Sequence, residues 1–209
     1  MAIKPILFNT EMVRAILDGQ KTCTRRVVKT RRKDACGFYV TKRPDGSFTG
    51  VYEYDEDERM FENQLIQYKP GDILYVRETW CGLPVNEAGH FRGHPIYYYK
   101  ADGDLRPEGW RGAWRPSIHM PKEAARIWLK VTDVRVERLQ DITLEQIYRE
   151  GAEVEEPFVL NGEEKRYAFS VLWNSTIKKS DLDRYGWAAN PWVWVIEYER
   201  CEKPEEVRS

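Results

Sequence analysis

At 209 residues the chain is long enough for one domain with a sizeable core and short for two. Hydrophobic residues make up 42% and charged residues 32%, an ordinary globular balance, and a net charge of -1 excludes a whole-molecule field that would mark a polyanion binder. No run approaches the roughly 18 apolar residues that cross a bilayer, and Met1 to Pro5 carries no apolar leader, so a cytoplasmic protein with no membrane partner is expected.

Residues 3–8 read as a first strand, apolar but for Lys4, with Pro5 placing it at a sheet edge or a bulge. Residues 10–18 read as a helix with Met12, Val13, Ile16 and Leu17 on one face, and Gly19 stands where a left-handed cap ends it. Residues 30–69 are charged and irregular, with a turn at Pro44-Asp45-Gly46 and a hairpin around 38–51. After the turn at Pro70-Gly71-Asp72, alternation puts Leu74, Val76, Glu78 and Trp80 on one strand face and Ile73, Tyr75, Arg77 and Thr79 on the other. Residues 96–100 form a second, aromatic strand, 103–116 a Gly-, Pro- and Trp-rich loop, and Pro121 opens a short helix.

Ile127, Leu129 and Val131 alternate, and Val134 and Val136 continue in the opposite phase. One extra residue between them predicts a bulge in a long curved strand. Thr143-Leu144-Glu145-Gln146 is a capping box for a helix that runs to Glu150 and is stopped by Gly151. A charged insertion at 152–165 leads to an aromatic helix near 167–173. Residues 192–199 close the chain as a strand, apolar on both faces in its first half and therefore central. With strands at both ends, helices between and no internal repeat, residues 1–209 read as one closed α+β unit.

Cys23, Cys36, Cys81 and Cys201 have unrelated spacings, which predicts reduced thiols rather than a disulfide framework. His90 and His94 sit among Gly89, Gly93 and Pro95 with no third ligand nearby, so no metal and no cofactor is expected. Charge is segregated. Residues 20–33 hold Lys21, Arg25, Arg26, Lys29, Arg31, Arg32 and Lys33 without an acid, whereas 53–62 are acidic except for Arg59. This pattern gives either a local basic face or two oppositely charged loops that pair.

Chemistry concentrates just after the first helix, in Gly19-Gln20-Lys21-Thr22-Cys23-Thr24-Arg25-Arg26. Neighbouring cations and partial burial both disfavour a protonated lysine, which makes Lys21 a candidate base toward the Thr24 hydroxyl. Arg25 or Arg26 can hold a phosphate or carboxylate bidentately. Cations after a helix C-terminus are also favoured by the macrodipole alone. Glu78, on an otherwise apolar strand face, either pairs with a cation such as Arg26 or Arg77 or lies at the strand end in an open cleft. Trp80, Trp110 and Trp114 are the loop-side aromatics available to stack on bases, while Trp128, Trp173, Trp192 and Trp194 fit element interiors.

Gly19-x-Lys21-x-x-Thr24-x-Arg26, directly after a short strand and helix, resembles the G-x-K-x-x-T-x-R signature of ASCH domains. Gly71-Asp72-Ile73-Leu74-Tyr75-Val76 resembles that family's G-D-x-L-x-V strand. The bulged strand, the helix ending Arg149-Glu150-Gly151 and the final strand follow in the family's order. Val76 to Trp80 and Trp114 to Pro121 resemble the longer members carried by phages and prophages. The resemblance implies a PUA-like small mixed β-barrel with flanking helices, with insertions near 30–68, 82–112 and 152–165, that binds RNA or a modified nucleoside. Small members include amidohydrolases that deacetylate N4-acetylcytidine with a lysine, a threonine and a glutamate. These map onto Lys21, Thr24 and Glu150, with Glu78 and Glu153 also placed by position, and Arg25, Arg26, Glu78 and Trp80 are the expected ligand contacts. Other relatives are single-strand ribonucleases or non-catalytic binding modules.

Overall fold

The computed structural model describes the chain except residues 30, 31, 33, 34, 46, 47, 64–66, 83–95, 107, 109–111, 153–161 and 206–209. The described elements are β1 (Ile3–Leu7), α1 (Thr10–Leu17), β2 (Cys23–Val27), β3 (Gly37–Lys42), β4 (Phe48–Tyr54), β5 (Met60–Glu62), β6 (Ile73–Arg77), β7 (Trp80–Gly82) and β8 (Tyr97–Tyr99). They continue as β9 (Trp128–Arg138), α2 (Leu144–Arg149), α3 (Gly162–Thr176), α4 (Leu182–Tyr185) and β10 (Trp192–Cys201), with short 3₁₀ turns between.

The architecture is α+β. A five-stranded sheet has the order β1-β6-β9-β10-β2, parallel at β1–β6 and antiparallel elsewhere. β10 is central because Val193, Val195 and Ile196 are buried on both of its faces. The bulge falls where the phase change predicts it: Glu197 pairs with Asp133 and Tyr198 with Val131, so Thr132 is the extra residue. β1 and β2 are the outer strands, and among the described residues no backbone ladder joins them.

One core cluster fills the concave side of the sheet, with Ile6, Phe8, Leu74, Val134, Trp194 and Ile196 among its members. A second lies under α2 and α3, where Ile147, Phe169 and Trp173 pack on Val193 and Val195. A third packs Trp80, Met120 and Trp128 near the start of β9.

Residues 30–69, expected to be irregular apart from one hairpin, supply a three-stranded sheet, β3-β4-β5. Charge hides its alternation, because Glu53 of β4 and Asp55, just past the end of β4, are buried. Asn63 Nδ2 donates to Glu53 at 2.6 Å, and Arg32 reaches Asp55 at 3.7 Å while stacking on Phe61, so the acidic and basic stretches do meet. The strand expected to run to Trp80 ends instead at Arg77. Pro121 opens a single 3₁₀ turn rather than an α-helix.

The parallel β1–β6 pair is pinned at its start by Asp72, whose carboxylate accepts from Ala2 N–H at 2.9 Å, Lys4 Nζ at 2.7 Å and Lys69 N–H at 3.1 Å. Burial works to raise the Asp72 pKa, but the Lys4 ammonium and the two amides outweigh it and hold the carboxyl below its ordinary range. Asp72→Asn is expected to lower stability by about 1–3 kcal/mol at neutral pH, read from urea midpoints. A depressed folded-state pKa contributes stability above the ordinary carboxylate value and loses it as pH falls through the folded value. Wild type and variant therefore converge in acid.

Candidate functional site

Gly19 ends α1 in the left-handed conformation, φ 77°, and Lys21 N–H returns to Ala15 C=O at 2.9 Å. This tight exit turns the Lys21 side chain inward, where it has no solvent exposure. Its ammonium donates to Glu150 Oε2 at 2.7 Å, Glu150 C=O at 2.7 Å and Cys23 C=O at 2.8 Å. Burial pushes the Lys21 pKa down from its ordinary value, and the Glu150 carboxylate opposes that shift.

Glu150 caps the C-terminus of α2, where the helix dipole disfavours an anion, and Lys21 and Arg25 supply the compensating cations. The next residue fixes the approach. Gly151 has φ 71°, and a Cβ there would stand 2.6 Å from Ala15 Cβ and 3.0 Å from Lys21 Cβ. Only glycine lets the end of α2 abut α1 this closely.

On β2, alternation sends Thr24 and Arg26 to the concave core and Cys23 and Arg25 toward the helices. Arg25 Nη1 donates to Glu150 Oε1 at 3.0 Å and Nη2 to Gln146 Oε1 at 2.9 Å, with Glu137 at 3.4 Å. Arg26 Nη1 donates to Thr24 Oγ1 at 2.8 Å and Arg25 C=O at 3.0 Å, and Nη2 to Leu7 C=O at 3.0 Å. The guanidinium therefore spans the gap between β2 and β1, lying over the Phe8 ring. Among the described residues Arg26 has no carboxylate partner.

A cleft of about 350 Å³ opens along the outer edge of β2, a size suited to a small ligand. Thr24, Arg25, Arg26 and Val27 form one wall, Leu7, Asn9 and Met12 another, and Phe169, Leu172 and Trp173 of α3 a third, with Glu150 reaching in from α2. Lys21 stands behind Glu150. On the far side of Arg26 lies a second, minor cavity lined by Tyr68, Val134 and Trp194.

Lys21, Thr24, Glu150, Arg25 and Arg26 are thus brought together, whereas Glu78 and Trp80 lie elsewhere. Glu78 pairs with neither Arg26 nor Arg77. Arg126 holds it bidentately at 2.9 and 3.0 Å and also reaches Asp102 at 2.7 Å. β6 ends before Glu78, which frees the carboxylate to turn toward Arg126 at the approach to β9. Trp80 is buried in the third core cluster against Tyr97, and Trp114 is covered by Arg106. The aromatic wall of the cleft comes instead from α3, through Trp173. Trp110, Glu153, His90 and His94 lie outside the described residues.

Sequence reading missed Gln146 and Glu137 as partners of Arg25. Gln146 was legible only as the third residue of a capping box, which it also completes: its Oε1 accepts from Thr143 N–H at 2.9 Å as well as from Arg25. Tyr198 Oη lies 3.4 Å from Cys23 C=O, and burial raises its pKa well above the ordinary value. Burial pushes the neighbouring Cys23 thiol up to about 12, which keeps it protonated and unreactive.

No protein-family model, curated protein or solved structure matches this chain. No group of His, Cys, Asp and Glu able to hold a metal ion occurs among the described residues, nor any helix long and apolar enough to cross a membrane. Chemically, the cleft presents a hydroxyl, a carboxylate and two guanidiniums beside an apolar wall.

Gly151→Ala is expected to destabilise the fold by more than about 1 kcal/mol through strain at positive φ and contact with Lys21, measured by thermal unfolding. Burial raises the Glu78 pKa in spite of Arg126, so the folded state holds extra protons between 4.5 and the folded value. Stability then falls as pH rises through that window, and Glu78→Gln should flatten the slope in urea titrations.

Proposed function

We propose that the protein is an ASCH-type, PUA-like domain whose cleft takes an acylated nucleoside, free or within RNA, and hydrolyses its exocyclic amide. β1 and β2 then face each other as the unpaired seam of the PUA-like barrel, joined by the Arg26 side chain. One observation carries the reading: Thr24, Arg25, Arg26 and Glu150 share a single cleft, and Lys21, with its depressed pKa, stands directly behind Glu150. The apolar wall at Trp173 and Leu172 suits a base, and the unneutralised Arg26 suits the phosphates on either side of it in RNA.

In the reaction Thr24 Oγ adds to the acyl carbon and its proton passes to Lys21, present as the neutral amine. The carbon–nitrogen bond then breaks, and the same proton goes to the departing exocyclic nitrogen. Water attacks the resulting threonine ester, gives its proton to Lys21, and acetic acid leaves as Thr24 Oγ is reprotonated. Glu150 orients Lys21, and Arg26, donating to Thr24 Oγ1, stabilises the developing alkoxide.

A second reading, binding without turnover, is favoured by the three acceptors already engaged by the Lys21 ammonium. Acetate release from N4-acetylcytidine separates the two. Under the hydrolytic reading wild type turns over, and Thr24→Val and Lys21→Met lose about 10²–10⁴-fold. The rate rises with pH through a lysine pKa below 10.5, because the neutral amine is the active form. Wild type that binds single-stranded RNA in a salt-sensitive manner but releases no acetate supports the second reading, with affinity weakened by Arg26→Gln. A protein that neither binds nor hydrolyses overturns both.

A further inference from the structure

The outer edge of β2 carries a pattern that the side chains do not explain. Val28 N–H donates to Trp192 C=O at 2.9 Å, and Tyr198 N–H to Thr22 C=O at 3.0 Å. In this antiparallel register, positions 22, 24, 26 and 28 exchange hydrogen bonds with β10, and 23, 25 and 27 direct their N–H and C=O groups to the free edge. Two of those edge carbonyls are already occupied, Cys23 C=O by Lys21 Nζ at 2.8 Å and Arg25 C=O by Arg26 Nη1 at 3.0 Å.

The amides differ. Arg25 N–H and Val27 N–H have no acceptor among the described residues, although both residues line the cleft and Arg25 is 2% exposed. The Arg25 Nε–H is likewise buried without a partner. An unpaired donor on a buried residue is rare and costly, so two edge amides along a cleft wall, one on buried Arg25 and one on half-buried Val27, call for an occupant that brings acceptors. A peptide strand would need acceptors and donors in alternation, and two of the carbonyls it would pair with are capped. A planar ligand that presents carbonyl oxygens fits the edge as it stands.

We infer that the free edge of β2 reads the ligand through main-chain amides, Arg25 N–H taking the carbonyl oxygen of its acyl amide and Val27 N–H a second acceptor on the base. The inference rests on the reading of this cleft as the nucleoside site. The two amides are about 7 Å apart along the strand, the scale of a pyrimidine with its exocyclic acyl group. Arg25 N–H also directly follows Thr24, the relation in which acyl-transfer enzymes place an oxyanion donor next to their nucleophile. As the Thr24 Oγ–carbon bond forms, the carbonyl π pair moves onto oxygen, which this amide holds until the pair returns and the carbon–nitrogen bond breaks.

Amide proton–nitrogen spectra of the slow-turnover Thr24→Val protein, titrated with N4-acetylcytidine and, in a separate sample, with cytidine, test it. N4-acetylcytidine should move both Arg25 and Val27 amides downfield, and cytidine, lacking the acyl carbonyl, should move Val27 without Arg25. If the Trp173 indole responds and both edge amides stay still, the ligand occupies the cleft but the edge is not read, and this inference alone falls. No response anywhere in the cleft overturns the site reading along with it. A response to the tripeptide Ala-Val-Ala and none to either nucleoside assigns the edge to a peptide strand and overturns the proposal. Replacing the Arg25 amide with an ester, through the α-hydroxy analogue of arginine, keeps the side chain and removes the donor. Turnover is expected to fall about 10²–10³-fold, and an ester protein as active as wild type overturns the oxyanion role.

Discussion

A buried ammonium–carboxylate pair, Lys21 with Glu150, sets the geometry on which the rest of the site depends. Neither group tolerates enclosure alone, and removing one partner of such a pair typically costs about 3–5 kcal/mol because the other is left charged and dry. The pair ties the start of β2 to the end of α2, and Arg25 doubles the tie through the second oxygen of the same carboxylate. Gly151 makes the approach sterically feasible, and the Thr143–Gln146 capping box fixes the other end of α2 while its glutamine steadies Arg25. Helix, strand and carboxylate therefore hold one another in a single arrangement.

That arrangement leaves β2 with one free edge, and the cleft follows from it. The sheet places β1 and β2 at opposite ends of its strand order, yet Arg26 reaches from β2 to the Leu7 carbonyl of β1. A side chain rather than a backbone ladder links the two strands, and the unused backbone positions of β2 face the cleft. Tyr68 plays a matching part on β1, donating to the Pro5 carbonyl at 2.8 Å. Side-chain capping of edge carbonyls satisfies the acceptors without filling the space, so donors and volume both remain for a ligand.

Local signals were read correctly where local physics decides. The α1 face at Met12, Val13 and Ile16, the left-handed glycines at 19 and 151, the capping box at Thr143 and the phase change in β9 all depend on residues within a few positions of each other. The β3–β4 hairpin was legible, but β5, the third strand of that sheet, was missed, because the buried acids Glu53 and Asp55 break the apolar alternation and are partnered in part by residues outside β4, Asn63 and Arg32. Glu78 illustrates the same limit. A cation partner was one of two readings of its apolar strand face, but Arg126, the residue that meets it, lies 48 positions away.

The sequence by itself determined which residues carry reactive groups and that Lys21, Thr24, Arg25 and Arg26 leave one turn together, because a glycine stop and strand alternation act over a few bonds. The helix dipole at Glu150 also called for a compensating cation, with Lys21 a candidate. Tertiary structure alone decided that Glu150 is buried and shared with Arg25, which face of β2 opens to the cleft, and that Trp173 rather than Trp80 walls it. Those outcomes depend on strand order and on the packing of helices far apart in the chain, where the free energy of a contact depends on burial and distance and not on proximity in sequence.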